Sequence, residues 1–369
     1  MKLHQTTTEF NCGIDLHKQN MYICLVNRNG DKLVHRNIKH NDFDFFLKVV
    51  QPYRHDLTVA CESTFNWYWL SDACIGAGLP FVLGHALYMR AIHGTKSKND
   101  RVDSEKIAHL LRTNLLPVGH TCRAEIRPVR DLMRRRIHFV RQRASILGHM
   151  TSAAFVDGIE WLTCEEKRRA NRQEMVPKKF EHPMRKMSLE ADTWLAEQYD
   201  QIISKLDWQL AQYTRKENSY AFNILQTVPG IGKTCAMIIL YEIDTIDRFK
   251  TVRDFCSYCR LFTPLASSDG KVYGVQGRKI GNPYLKWVFS EIAVHTKRFC
   301  SPMNQYFVTL EKRYGKQKAY RIMCHRIGRA VYFMLKRNVP FDLDKFLKND
   351  RKTETQKIEK KTREMAISS

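Results

Sequence analysis

The order of the first elements constrains this chain most: three strand-like runs come before any helix. Residues 9–16 (EFNCGIDL), 21–26 (MYICLV) and 32–38 are apolar or alternating at strand length, and 27–31 (NRNGD) carries an Asn-Gly hairpin signal. Residues 41–50 (NDFDFFLKVV) open on a cap-like Asn and then space their apolar residues as a helix does. A fourth strand is expected at 57–61 (LTVAC), a helix at 65–75 ending near Gly76 and Gly78, and a fifth strand at 80–83. From Asp103 onward, Ile107, Leu110 and Leu111 recur at helical intervals.

Three antiparallel strands followed by helix, strand, helix, strand and helix is the order of a ribonuclease-H-like α/β domain, expected over residues 1–120. That order gives four carboxylates a meaning. Asp15 ends the first strand and Glu62 follows the fourth, and these strand ends are neighbours in such a sheet. Asp100 and Asp103 share one face of a helix start that packs across them. Taken singly, an Asp after a strand is an ordinary turn residue, and Asp-x-x-Asp at a helix N-terminus is ordinary capping. Together on one fold they would repel one another without a cation. Two Mg2+ or Mn2+ ions suit this hard oxygen set and would position the attacking and leaving oxygens of a phosphodiester.

The rest of the chain reads as all-α. Residues 121–220 are rich in Arg, Lys, Glu and Gln, with long helices expected at 127–149 and 189–213, pairing as a coiled coil, and the breaker Pro177 in a basic stretch between them. Arg134, Arg135, Arg136, Arg141 and Arg143 cluster without matching acids, which favours phosphate contacts over a merely solvated face. A mostly helical third domain is expected over 221–345. There TVPGIGK (227–233) reads as a helix-hairpin-helix turn in which Gly230 and Gly232 let backbone amides approach a phosphate, with Lys233 following. The spacing of a Walker A loop is absent. A loop at 263–270 (TPLASSDG) and a basic glycine-rich stretch at 271–282 (KVYGVQGRKIGN) precede helices from Pro283 to about Arg337. Residues 346–369 are a charged tail, read as a frayed helix or a basic arm.

Composition narrows the partner. The chain has 61 Lys+Arg against 38 Asp+Glu, a formal charge of +23, which favours a polyanion such as nucleic acid over an acidic-surface metabolic role. No run approaches the roughly 18 apolar residues of a membrane span, and the polar N-terminus lacks a signal-peptide core. The 11 Cys are scattered, and Cys12, Cys24 and Cys61 sit in apolar, strand-like runs, as expected of buried thiols in a reducing cytoplasm. The CxxC at Cys256 and Cys259 has no second ligand pair at zinc spacing and reads as two core-facing thiols. Trp67, Tyr68 and Trp69 have the faces to stack on bases, although core packing is the simpler reading. His17, just past Asp15, is placed either near the metals or on the surface, and His93 and His109 form no pattern.

GIDLHK around Asp15, ESTFNWYW from Glu62 and NDRVDSEKIAHLLR around Asp100 and Asp103 resemble the DEDD insertion-sequence transposases, as do TVPGIGKTCAMIILYEIDTIDRF, the Pro-x-x-Ser-Ser loop and GRKIGNPYLKW. The resemblance covers roughly residues 9–335 in two blocks. It implies a RuvC-like domain whose catalytic, metal-binding tetrad is Asp15, Glu62, Asp100 and Asp103, and a C-terminal domain supplying a serine nucleophile at Ser267 or Ser268. Here Asp269 intervenes before Gly270, and Gly-Arg-Lys-Ile precedes Gly281-Asn282, so both serines stay open. Lys271, Arg278 and Lys279 would then hold the scissile backbone. The family includes site-specific invertases and recombinases guided by a structured bridge RNA that the element encodes. The resemblance thus implies donor and target DNA duplexes, a guide RNA, and homodimers assembling into tetramers. Two rival readings remain: a RuvC-like nuclease that only hydrolyses, and a non-enzymatic structural RNA-binding protein.

Overall fold

The computed structural model describes residues 2–92, 99–160, 162–262, 265–268, 271–275 and 280–348. The chain forms two compact units, Met1–Ala124 and Glu125–Ser369. The first holds β1 (Phe10–Leu16), β2 (Asn20–Val26), β3 (Lys32–Lys39), α1 (Phe43–Val50), β4 (Leu57–Glu62), α2 (Trp67–Gly76), β5 (Phe81–Gly84), α3 (Ala86–Ile92) and α4 (Asp100–Arg112). Its mixed sheet runs β3-β2-β1-β4-β5. The β1, β2 and β3 neighbours pair antiparallel, while β1 with β4 and β4 with β5 pair parallel. The expected element order holds, with the short α3 added before α4. The cap of α1 differs from expectation: Asp42, not Asn41, accepts from Phe45 N. Asn41 instead takes a left-handed φ of 50° and donates to the His17 and Lys18 carbonyls.

Strand periodicity decides which face each residue serves, because successive side chains alternate sides. Cys12, Ile14 and Leu16 of β1 and Leu57, Val59 and Cys61 of β4 pack into a core with α1 and α2, including Phe46, Val50, Leu70 and Cys74. Trp67 is buried in that core, and Tyr68 and Trp69 pack against it, so this triplet is core material. Ala60 on the opposite face packs with Ile107, Leu110 and Leu111 of α4. By the same alternation Gly13 and Asp15, with Ala60 and Glu62, face α4. Gly13 is what lets that helix sit so close: a Cβ there would lie 2.3 Å from both Ala108 N and Ser104 O. Any side chain at 13 would push α4 off the sheet.

The second unit contains α5 (Arg127–Val156), α6 (Arg172–Lys178), α7 (Pro183–Gln226), α8 (Lys233–Ile243), α9 (Val252–Tyr258), β6 (Leu265–Ser268), β7 (Lys271–Val275), α10 (Pro283–Phe299), α11 (Ser301–Tyr314) and α12 (Lys316–Arg337). The long helices α5 and α7 pack side by side and antiparallel, with Arg136 pairing Asp207, Arg143 pairing Asp200 and His149 pairing Asp192. Both run further than their apolar spacing announced. Position 220, an expected junction, lies inside α7, just past a kink at Asn218 (φ −139°, ψ 38°). Pro177 does not break the chain between helices; it occupies the last turn of α6. All 11 cysteines are free, and Cys256 and Cys259 are buried. No helix among the described residues is long and apolar enough to cross a membrane.

Candidate active site

The first unit brings carboxylates to one corner of the sheet. The parallel β1–β4 register ends at Ile14↔Cys61, so Asp15 and Glu62 come next on adjacent strands. Helix α4 starts here because the Asn99 side chain caps it, accepting from Arg101 N, and this puts Asp100 and Asp103 in its first turn. Asp15, His17 and Asp100 converge, with one ligand atom of each within 4.8 Å of the others. His17 Nε2 lies 3.3 Å from Asp15 Oδ2 and 3.2 Å from Asp100 Oδ1. The His17 backbone is fixed by side-chain amides, since Asn41 Nδ2 and Asn66 Nδ2 both donate to its carbonyl. Asp103 is held by Lys106 Nζ at 2.8 Å. Glu62 is half-buried at the end of β4, opposite Gly84 of β5.

Burial pushes the Asp15 carboxyl above the ordinary carboxylate range. The charge of His17 and its hydrogen bond oppose this, while the charges of Asp100 and Asp103 add to it. A buried acid among like charges is a group that a cation would relieve. The converging donors are two carboxylates, Asp15 and Asp100, with the His17 imidazole between them, a set that fits a divalent ion; Glu62 and Asp103 lie outside this group. A position two residues past Asp15 is equally compatible with a surface histidine, so nothing local ranks His17 inside this cluster rather than outside it.

In the second unit, Ser267 and Ser268 lie on β6, paired antiparallel with β7. Ser268 faces Lys271 in register, Ser267 faces Val272, and the pairing is irregular between Ala266 and Ser267. The stretch expected as loop is thus a two-stranded hairpin. Lys271 is exposed on β7, whereas Arg278, Lys279 and Asp269 lie outside the described residues, as do His93 and the tail beyond residue 348.

Below the hairpin is a buried polar network that sequence patterning did not announce. Glu242 of α8 is 2% exposed. Arg134 grips it with both arms, Nε to Oε1 at 2.7 Å and Nη2 to Oε2 at 2.8 Å. Asn282 Nδ2 donates to Glu242 Oε2 at 2.6 Å, while Asn282 Oδ1 caps α10 by accepting from Tyr284 N and Leu285 N. Tyr258 Oη donates to the Glu242 carbonyl.

These contacts correct the reading of the arginine cluster as lacking acids. Arg134 is committed to Glu242 and Arg136 to Asp207 in a second two-armed pair, and Arg143 shares the buried Asp200 with Arg172. Arg135, stacked on Phe139, and Arg141 remain exposed to solvent. The TVPGIGK turn also divides. A Cβ at Gly230 would lie 2.6 Å from Thr296 N, so its closest approach is to α10 rather than to a ligand. Gly232 has open space around it and caps α8 ahead of the exposed Lys233.

Two family models match this chain. Residues 12–154, which span all four carboxylates, match the DEDD-type IS110 model, described as a transposase; residues 222–308, which span both serines, match the model described as Transposase IS116/IS110/IS902 family. The chain carries the transposase domains of the IS110/IS116/IS902 family. The transposase is therefore an enzyme of DNA transposition and recombination, and the five-stranded mixed sheet of its first unit is consistent with a ribonuclease-H-like DEDD domain. No curated protein matches it.

Proposed function

We propose that this transposase cuts and rejoins double-stranded DNA at donor and target sites through a covalent serine–DNA intermediate. The observation that carries the metal-dependent part is the meeting of Asp15 and Asp100 at the end of β1, with Asp15 raised by burial. Asp15, Glu62, Asp100 and Asp103 would hold Mg2+ or Mn2+, which when bound supplies charge neutralisation at a phosphodiester. Ser267 or Ser268 supplies the nucleophile. Its oxygen bonds to phosphorus, the bond from phosphorus to the 3′ oxygen breaks, and the serine proton ends on the released 3′ hydroxyl. Attack by a 3′ hydroxyl on the phosphoserine reverses the step and restores the serine.

The cationic surface, with Arg135, Arg141, Lys233 and Lys271 exposed, supports binding of several nucleic acids in the cytoplasm. We read these as two DNA duplexes and a guide RNA encoded by the element, bound by dimers that assemble into tetramers. Donor and target plasmids incubated with the chain and Mg2+ test this reading. Joined donor–target molecules are expected, and Asp15→Asn and Glu62→Gln should abolish them while leaving RNA binding intact. Cleaved but never joined strands would favour hydrolysis alone; RNA binding with neither cleavage nor joining by the wild type would favour a structural RNA-binding protein, and full joining by both variants would contradict the role of the carboxylates.

A further inference from the structure

The segment bearing Ser267 and Ser268 is flanked by Phe262 and Ile280, and the described residues on its two sides are clamped together. Asn282 N donates to Tyr258 O at 2.6 Å, and Arg260 Nε donates to Gly281 O at 2.9 Å. Gly281 takes a φ of 91° with its α-carbon so close that a Cβ would lie 2.6 Å from Tyr258 O. No residue with a side chain fits that neck without moving it. Beneath it, Asn282 divides its amide. The oxygen caps α10 and the nitrogen reaches both Tyr258 Oη and Glu242, whose carboxylate is also held by the two arms of Arg134. A buried ion pair is a costly way to stabilise a helical bundle; what a fully hydrogen-bonded one supplies is a single geometry.

We propose that Glu242 is a positioning residue for the serine hairpin, acting through Asn282 and Arg134 to fix the hairpin's neck without touching DNA. This rests on the serine reading above. Glu242 orients the Asn282 amide, the amide fixes the start of α10, and the Asn282 and Gly281 backbones fix where the hairpin returns. A displacement of about 1 Å at a nucleophile can cost about a hundredfold in rate. The pair should therefore set the rate of attack while leaving the affinity for DNA alone.

Full-length Glu242→Gln, Asn282→Asp and the double variant separate positioning from bulk stability. Asn282→Asp sets two carboxylates against each other. In the double variant a Gln amide donates to an Asp oxygen, so the hydrogen bond is rebuilt in reverse. Serine–DNA adduct formation, measured well below each melting temperature, should slow about a hundredfold in each single variant at unchanged DNA affinity, and recover in the double. Wild-type rates in the single variants would overturn the proposal, as would a double variant no faster than the slower single, or a loss of DNA affinity equal to the loss of rate. Should the wild type form no adduct, the serine reading falls and the neck is judged by hydrogen exchange. Faster exchange at Asn282, Tyr284 and Leu285 amides in the single variants, restored in the double, sustains it; unchanged exchange overturns it.

Discussion

Replacing Asp15 with Asn is expected to raise the melting temperature in metal-free buffer and to abolish DNA joining. The two effects have one cause. Burial disfavours the Asp15 charge and, although His17 opposes this, Asp100 and Asp103 disfavour it further, so its folded pKa lies above the unfolded one. For a carboxylate shifted in that direction, the native state is relatively more stable when the group is neutral, and this advantage is lost as pH rises through the unfolded and then the folded pKa. Where Asp15 is ionised the folded chain carries a charge it does not favour, and Asn removes it. A divalent ion relieves the same strain in the wild type. At about a hundredfold above its Kd it should stabilise the wild type by about 2.7 kcal/mol, and Asp15→Asn should lose most of that shift. Several kcal/mol of transition-state stabilisation corresponds to about a thousandfold or more in the rate of joining. Thermal melts with EDTA and with Mg2+ read the stability effects. A variant less stable than wild type in EDTA, or one shifted equally by Mg2+, would contradict the account of this corner.

Arg134→Ala should destabilise the second unit by about 3 kcal/mol, the lower end of the cost of stripping one partner from a buried ion pair. The lower end applies because the Arg134 side chain is 33% exposed while that of Glu242 is 1% exposed. Its removal leaves the Glu242 carboxylate with the Asn282 amide alone and takes a guanidinium off the Tyr284 ring. Arg135→Ala, one residue along and facing solvent, should stay within about 0.5 kcal/mol of wild type. The two arginines exchange roles in nucleic-acid binding. Arg135→Ala should lower the salt dependence of DNA affinity by about one phosphate contact, and Arg134→Ala should not. Chemical denaturation and salt titrations of both variants check this; equal stabilities would mean that Arg134 is a phosphate ligand after all.

The contrast between neighbouring arginines marks where sequence patterns stop carrying information. The β1–β5 order was legible because strand alternation and turn chemistry are local, and Asp15, Glu62, Asp100 and Asp103 stood out as candidates because each sits at an element's end; of these, Asp15 and Asp100 converge, with His17. Arg134 and Glu242 are 108 residues apart and Arg136 and Asp207 are 71 apart, so nothing local distinguishes a paired arginine from a free one. The β6–β7 hairpin was hidden for a different reason. Ser, Gly and Asp mark turns, and the two short strands between them lack the apolar alternation that identifies β1 to β5. Asn282 looked like an ordinary helix cap. Its second hydrogen bond depends on Glu242, which only the packing of α8 against α10 brings near.

The measurement closest to the central claim is covalent trapping on DNA. Wild-type chain incubated with labelled donor DNA and Mg2+ is predicted to yield an adduct that survives SDS. Either Ser267→Ala or Ser268→Ala alone should remove it, and the double variant must. An adduct that persists in the double alanine variant, or strand cleavage by wild type with no adduct at any time point, would contradict a serine-linked recombination.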